Sequence, residues 1–178
     1  MTVPLYRRLL GARFEALPTR VRELHNVTGI SVWRGRADVE RGISLVARAL
    51  AGLLGLPPAG RDQWVEVTFT PDGGTELWER RFGGAVFRSL QYERRGLLRE
   101  RIGPVTLIFA LDVSEKGLSL VPRGVRCLGL PLPPFLVPAV RTLESEREGR
   151  YRFEVEACLP LLGLLVRYEG WLERVKPI

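Results

Sequence analysis

Residues 63–82 read QWVEVTFTPDGGTELWERRF, two alternating runs of apolar and polar residues that flank an Asp-Gly-Gly sequence. Side chains at alternate positions share one face of a strand, which groups Val65, Val67 and Phe69 in the first run and Trp78, Arg80 and Phe82 in the second. A short Gly-containing turn between such runs is typical of a β-hairpin. Because so short a turn cannot contain a crossover helix, the stretch predicts antiparallel pairing.

The same pattern extends to the end of the chain. Alternating apolar positions recur at 105–113, 151–157 and 164–168. Further turn signals stand at Gly83-Gly84, Arg95-Gly96, Glu115-Lys116-Gly117 and Glu148-Gly149. No helical period follows Gly60. We therefore expect about eight or nine strands in an antiparallel meander.

The N-terminal part has a different period. Residues 5–16 and 19–25 have helical patterning interrupted at Pro18, and residues 27–40 are predicted to be extended. Residues 43–54 form a helix in which Ser44 and Arg48 alone are polar. The prediction is one α+β domain over residues 1–178, with two helices in the N-terminal half packed on a large, curved, half-barrel-like antiparallel sheet.

A twisted sheet with this number of strands curls, and its concave face has to be filled. The N-terminal helix and the 43–54 helix are the candidates to fill it. Either they plug the concavity, or they leave a pocket for an apolar ligand. The sequence leaves both alternatives open.

Composition raises the question of nucleic-acid binding. The 178-residue chain has a formal net charge of +7, and all but two of its 27 basic residues are arginine. Aromatic residues are interleaved with arginines in one region: Trp78, Arg80, Arg81, Phe82, Phe87, Arg88, Tyr92, Arg94, Arg95, Arg99 and Arg101. Basic and acidic residues alternate elsewhere, as in residues 150–156, which is typical of a solvated strand face rather than of a nucleic-acid surface.

Common catalytic and metal-binding motifs are absent. The chain has no nucleophile elbow, phosphate loop, dinucleotide fingerprint or zinc-protease helix. Its one histidine, His25, lies at the end of a helical stretch, where a capping or core role is favoured over that of a general base. Two cysteines and one histidine are too few for a structural zinc site. We expect no catalytic residue, metal or cofactor.

The remaining sequence signals concern location. The N-terminus has no signal-peptide pattern, so Cys127 and Cys158 are expected to be free thiols in the cytoplasm. Every apolar stretch is shorter than the roughly 20 residues of a spanning helix. The proline-rich apolar segment 128–138 must pack on the domain, on a partner or at a membrane surface.

Several short motifs carry a family resemblance: Leu24-His25, residues 78–84 (WERRFGG), 87–89, Gly103-Pro104, 129–133 (GLPLP) and 160–171 (PLLGLLVRYEGW). In these residues the chain resembles the bacterial family called domain of unknown function 4166, over nearly its whole length. The resemblance implies no activity and no functional residues. Family members occur alone or as a C-terminal extension of predicted nucleotide-binding oxidoreductases. Because this chain lacks the dinucleotide-binding part, we expect it not to bind NAD by itself.

The sequence favours a noncatalytic binder of an apolar or amphipathic small molecule in the concave sheet. The predicted lining residues are Trp78, Phe82, Tyr92, Phe109 and Tyr168, with Arg80 or Arg88 meeting a polar headgroup. The alternative is an accessory module of an oxidoreductase system, or a homodimer formed through residues 128–140. An enzyme that uses His25 is a third hypothesis.

Overall fold

The computed structural model describes residues 3–175, and within them a β-sheet closes on itself. The helices are α1 (Leu5–Leu10), α2 (Thr19–His25) and α3 (Leu45–Leu53), with 3-10 turns at Gly11–Ala16 and Pro134–Leu136. The strands are β1 (Ser31–Arg41), β2 (Gly60–Asp72), β3 (Thr75–Phe82), β4 (Ala85–Arg94), β5 (Leu97–Ile102), β6 (Val105–Ser114), β7 (Gly117–Cys127), β8 (Leu130–Pro131), β9 (Ala139–Arg147), β10 (Arg150–Leu159) and β11 (Gly163–Arg174).

The strands form a barrel. β1 to β6 pair in sequence, β6 pairs with β7, and β7 pairs across to β9, which continues through β10 and β11 back to β1. All of these pairings are antiparallel, and the short β8 extends the end of β7. The predicted α+β class and antiparallel sheet are confirmed.

The predicted half-barrel of about eight or nine strands is wrong, because ten strands of the described chain close into a full barrel. Closure depends on the contact between β7 and β9, which are not neighbours in a simple meander. There Leu118 stands opposite Glu144, and the Leu120 N–H donates to Thr142 Oγ1 at 2.8 Å. This residue pair and the Leu120 bond satisfy part of the backbone hydrogen-bonding capacity that an open sheet leaves exposed at its edges.

Strand direction gives the barrel two different ends. At the helix end lie the hairpin turns 73–74, 95–96, 115–116 and 148–149. At the mouth end lie the turns 83–84, 103–104 and 160–162 and the connections 42–59 and 128–138.

Helices α1 and α2 close the helix end. Pro4 and Pro18 precede them, where a residue without an N–H is tolerated. Arg8 Nη2 donates to the Gly74 carbonyl at 2.6 Å, and Arg20 Nε donates to the Gly149 carbonyl at 2.8 Å. These bonds hold the helices to two hairpin turns.

Helix α3 lies at the mouth end and brings the number of α-helices in the described chain to three instead of the predicted two. It buries Ala47 and Ala51 against Leu165 of β11. The mostly apolar composition of residues 43–54 predicts a helix that is either covered on nearly all sides or covers something apolar itself. In the structure Leu45 and Leu53 on its outer side are exposed.

Candidate ligand site

The barrel interior is not filled. A cavity of about 440 Å³ extends from α1 and α2 to the mouth, where residues of α3 and of segment 128–138 border it. The sequence left open whether the helices plug the sheet, and in the structure they close one end and leave this space. Its volume lies within the roughly 300–1,000 Å³ of small-molecule sites.

Most of the cavity wall is apolar. Aromatic and aliphatic side chains from nearly every strand contribute, because alternate residues of each strand point inward. The members nearest the mouth are Leu50, Leu54, Leu56, Leu132, Leu136, Pro138, Leu159 and Leu162. The mouth half of the site therefore suits a hydrocarbon group.

A buried ion pair stands at mid-height on the wall. Arg80 Nη2 donates to Glu100 Oε1 at 3.0 Å, and each side chain is 11% exposed. Ser89 joins both, because Arg80 Nη1 donates to its Oγ at 2.7 Å and Oγ donates to Glu100 Oε1 at 2.7 Å. The guanidinium carbon also lies 4.7 Å from the ring centroid of Trp78 and 4.8 Å from that of Phe87. Packing and pairing thus hold Arg80 in one orientation.

A second polar group forms the floor beside α1 and α2. Tyr6 Oη donates to Gln91 Oε1 at 2.9 Å, and His25 Nε2 forms a short hydrogen bond with Glu144 Oε2. The His25 ring stacks on Tyr6 with 3.7 Å between centroids. Tyr6, Gln91 and Glu144 border the cavity, whereas His25 lies behind them, fully buried.

Burial sets the protonation of the phenols. Loss of solvent raises the pKa of Tyr6 and of Tyr151 well above the ordinary value, and the nearby Glu144 carboxylate adds to both shifts. The pKa of Tyr168 is raised to about 12, mainly by burial. All three therefore keep their O–H at neutral pH and remain hydrogen-bond donors.

Glu76 holds α1 to the barrel below the cavity. Its Oε1 accepts the Leu5 N–H at 3.3 Å, and its Oε2 accepts Trp78 Nε1 at 3.1 Å. Burial raises the pKa of this carboxyl, and the nearby His25 partly offsets the shift.

Five of the seven predicted site residues come together. Trp78, Arg80, Phe82, Phe109 and Tyr168 all line the cavity. Arg80 shares the inward face of β3 with Trp78 and Phe82, as the period of two predicted.

Arg88 and Tyr92 are not brought to the cavity. Inward positions of β4 are odd-numbered (Phe87, Ser89, Gln91), so both residues point outward. Arg88 is 61% exposed and donates to Glu79 at 2.6 Å, while Tyr92 lies in shallow surface depressions among arginines.

Sequence reasoning missed the polar lining residues Tyr6, Gln91, Glu100, Thr142 and Glu144, and it missed Ser89, which joins Arg80 to Glu100. One signal was available: Ser89 and Gln91 share a strand face with Phe87, and Glu100 shares one with Leu98 and Ile102. A polar residue on an otherwise apolar face has to be satisfied inside the protein. Tyr6 and Glu144 had no such local signal.

The hypotheses on histidine and cysteine have different outcomes. His25 ends α2 as expected, but its partner is a carboxylate of β9, and within residues 3–175 its Nδ1 has no hydrogen-bond partner. Cys127 and Cys158 are free thiols. Among the described residues, no group of three or more His, Cys, Asp or Glu side chains is placed to hold a metal ion. No helix in that part of the chain is long and apolar enough to cross a membrane.

Comparison with known families gives one match. The family model described as "Domain of unknown function (DUF4166)" matches residues 17–172, which include nine of the ten barrel strands completely and most of the tenth. Comparison with curated proteins finds no match.

Proposed function

Because the chain belongs to the DUF4166 family, whose description names no activity, we propose a function from the cavity itself: noncatalytic binding of one amphipathic small molecule inside the barrel. The observation that carries the proposal is an apolar cavity of about 440 Å³ with hydrogen-bonding groups at mid-height on its wall and on its floor. The apolar part of the ligand lies toward the mouth, and its polar end lies near Arg80 and Gln91.

The polar end of the ligand is uncharged. Arg80 is already neutralised by Glu100, and Glu144 stands beside His25, so the part of the chain that the structure describes offers the cavity no free positive charge for an anionic head. Removing one partner from a buried pair is costly, typically about 3–5 kcal/mol. A hydroxyl or ester can instead accept from a remaining N–H of Arg80, and a hydroxyl can donate to Tyr6 Oη, with the pairs left intact.

The first measurement is native mass spectrometry of the purified protein, followed by solvent extraction of any bound molecule. We expect one reproducible amphipathic adduct per chain. A protein that is free of adducts and binds neither Nile red nor dodecanol would contradict the proposal. A dimer in the same spectrum would favour the alternative of a self-associating module, for which exposed Leu128 and Leu130 are the supporting observation.

Filling the cavity should abolish binding. Ala157 of β10 lines the cavity, and a tryptophan there occupies its mouth half. We expect Ala157→Trp to weaken dodecanol binding, measured by displacement of Nile red, by about thirtyfold or more, which corresponds to about 2 kcal/mol. Glu154→Trp, on the outer face of the same strand, is the matched control and should bind normally. Equal binding by both variants would place the ligand outside the barrel.

The uncharged polar end gives a second prediction. Dodecanol should bind more tightly than dodecanoate at pH 8 by about tenfold, because the carboxylate competes with Glu100 for Arg80. Titration of both compounds against Nile red measures the ratio. Tighter binding of dodecanoate would show that Arg80 selects an anion and would overturn the assignment of an uncharged head.

A further inference from the structure

The exposed apolar side chains concentrate at the mouth end. Leu45 is 79% exposed and Leu161 fully so, and exposed Phe135 borders the cavity. The other exposed apolar residues at this end are Ile43, Val46, Leu53, Val86, Leu128, Leu130, Leu136 and Leu162. A patch of this kind on a small protein marks a contact surface.

The turns and connections at the mouth end contain no carboxylate. Together with the strand residues next to them, in segments 42–60, 83–87, 103–107, 127–140 and 157–166, they contain one charged residue, Arg48 of α3. At the helix end every hairpin turn or its adjoining residue carries charge, as in the sequence 146–150 (EREGR). The molecule therefore has one charged end and one apolar end.

Carboxylates also flank the apolar surface, but Asp38, Glu40, Asp62 and Glu156 each lie within salt-bridge distance of an arginine. The flanking charges that stay unpaired are positive. Arg48 is exposed on the outer side of α3, and Arg126 and Arg141 stand where segment 127–140 begins and ends. Within residues 3–175, none of these three has a carboxylate within salt-bridge distance, although Arg126 donates to the Gly129 carbonyl. An apolar surface edged by uncompensated arginines matches an anionic bilayer, in which acyl chains lie beneath negative headgroups.

We propose that the mouth end docks on the surface of an anionic lipid bilayer, with α3, segment 128–138 and turn 160–162 in the headgroup region. A second copy of this chain fits less well. An isologous contact through this end would bring Arg48, Arg126 and Arg141 of both copies together, and the nearby Glu40 and Asp62 already pair with arginines of their own copy. Like charges at an interface are unfavourable.

Docking would also join the bilayer to the cavity. Leu50 and Leu54 of α3 border the cavity while Leu45 and Leu53 face outward, and Leu136 both borders the cavity and is exposed. An apolar molecule could pass between membrane and barrel without crossing water. The docking inference rests on the outer surface and does not require the proposed ligand.

The test is flotation of the full chain with vesicles of phosphatidylcholine alone or with phosphatidylglycerol added. We expect binding to the mixed vesicles, and we expect the double variant Leu45→Asp, Leu161→Asp to weaken it by about tenfold or more. Ile30→Asp is the matched control, because Ile30 is 73% exposed at the helix end, and it should bind like the parent protein. Arg48→Gln and Arg141→Gln should each weaken binding about fivefold, and Arg94→Gln at the helix end should not.

Other results would overturn the inference. One is absence of binding to the mixed vesicles, and another is a loss of vesicle binding in Ile30→Asp that equals the loss in the double variant. A third is a dimer in solution that the double variant dissociates, because that result would assign the surface to self-association. Failure of docking is distinguishable from failure of the proposed function. Ala157→Trp should lose dodecanol and keep vesicle binding, whereas the double variant should keep dodecanol.

Discussion

Replacement of Glu100 by leucine should destabilise the barrel by about 3 kcal/mol or more, because it leaves the buried Arg80 guanidinium without its counter-charge. Glu100 Oε1 accepts from both Arg80 and Ser89, and both donors are buried or nearly so. Leucine removes this acceptor and adds no polar atom. Chemical unfolding in urea measures the effect as a lower midpoint at an unchanged slope.

Two further variants distinguish destabilisation by an unpaired buried charge from destabilisation by the loss of any glutamate. Glu79→Leu removes a carboxylate that also binds two arginines, Arg81 and Arg88, but on the outer face. Exposed ion pairs contribute little to stability, so Glu79→Leu should lower the free energy of unfolding by no more than about 1 kcal/mol. The double variant Arg80→Leu, Glu100→Leu removes both charges and should recover most of the lost stability. If Glu100→Leu unfolds at the same urea concentration as Glu79→Leu, the ion pair is not buried as described.

Gly117→Ala should open the barrel at its seam, with a loss of about 3 kcal/mol or more in unfolding free energy. Gly117 has φ +131°, and an added Cβ would lie 2.0 Å from the Glu144 carbonyl oxygen. That contact lies beside the pairing of Leu118 with Glu144, which joins β7 to β9. Movement of Glu144 would also disturb its hydrogen bond with His25 and so the attachment of α2.

Thermal unfolding together with amide hydrogen exchange tests this expectation. Exchange should accelerate in β7 and β9 before it does in the β2–β3 hairpin, because the seam opens locally. Gly84→Ala is the control: no atom lies within 4 Å of its added Cβ, and its φ is outside the left-handed region, so stability should change by about 0.5 kcal/mol or less. A Gly117→Ala protein with normal melting and normal exchange would show that another contact closes the barrel.

Local patterning was sufficient for the hairpins. The alternation in residues 63–82 and the turn at 72–74 predicted β2 and β3, whose observed register places Phe69 opposite Trp78. It was sufficient because strand period and turn chemistry act over only a few residues. The same locality explains why five of the seven predicted lining residues share the cavity.

Local patterning did not predict which face of a strand a given side chain occupies, or which residues far apart in the sequence come into contact. Arg88 and Tyr92 lie on β4, between two turns that the sequence predicted, but one position along a strand decides whether a side chain faces inward or outward. The polar floor joins residues far apart in sequence, such as Tyr6 with Gln91 and His25 with Glu144. No spacing rule connects such residues.

The amino-acid sequence by itself determined the α+β class, the antiparallel hairpins and the inward face of β3, since each depends on neighbours along the chain. Only the tertiary structure decided that the sheet closes, that the helices leave a cavity, and that the apolar segments 43–54 and 128–138 meet at one mouth. Closure depends on β7 meeting β9, and the cavity depends on how much volume the inward side chains leave. Both are properties of the whole ring of strands, to which each segment contributes only a part.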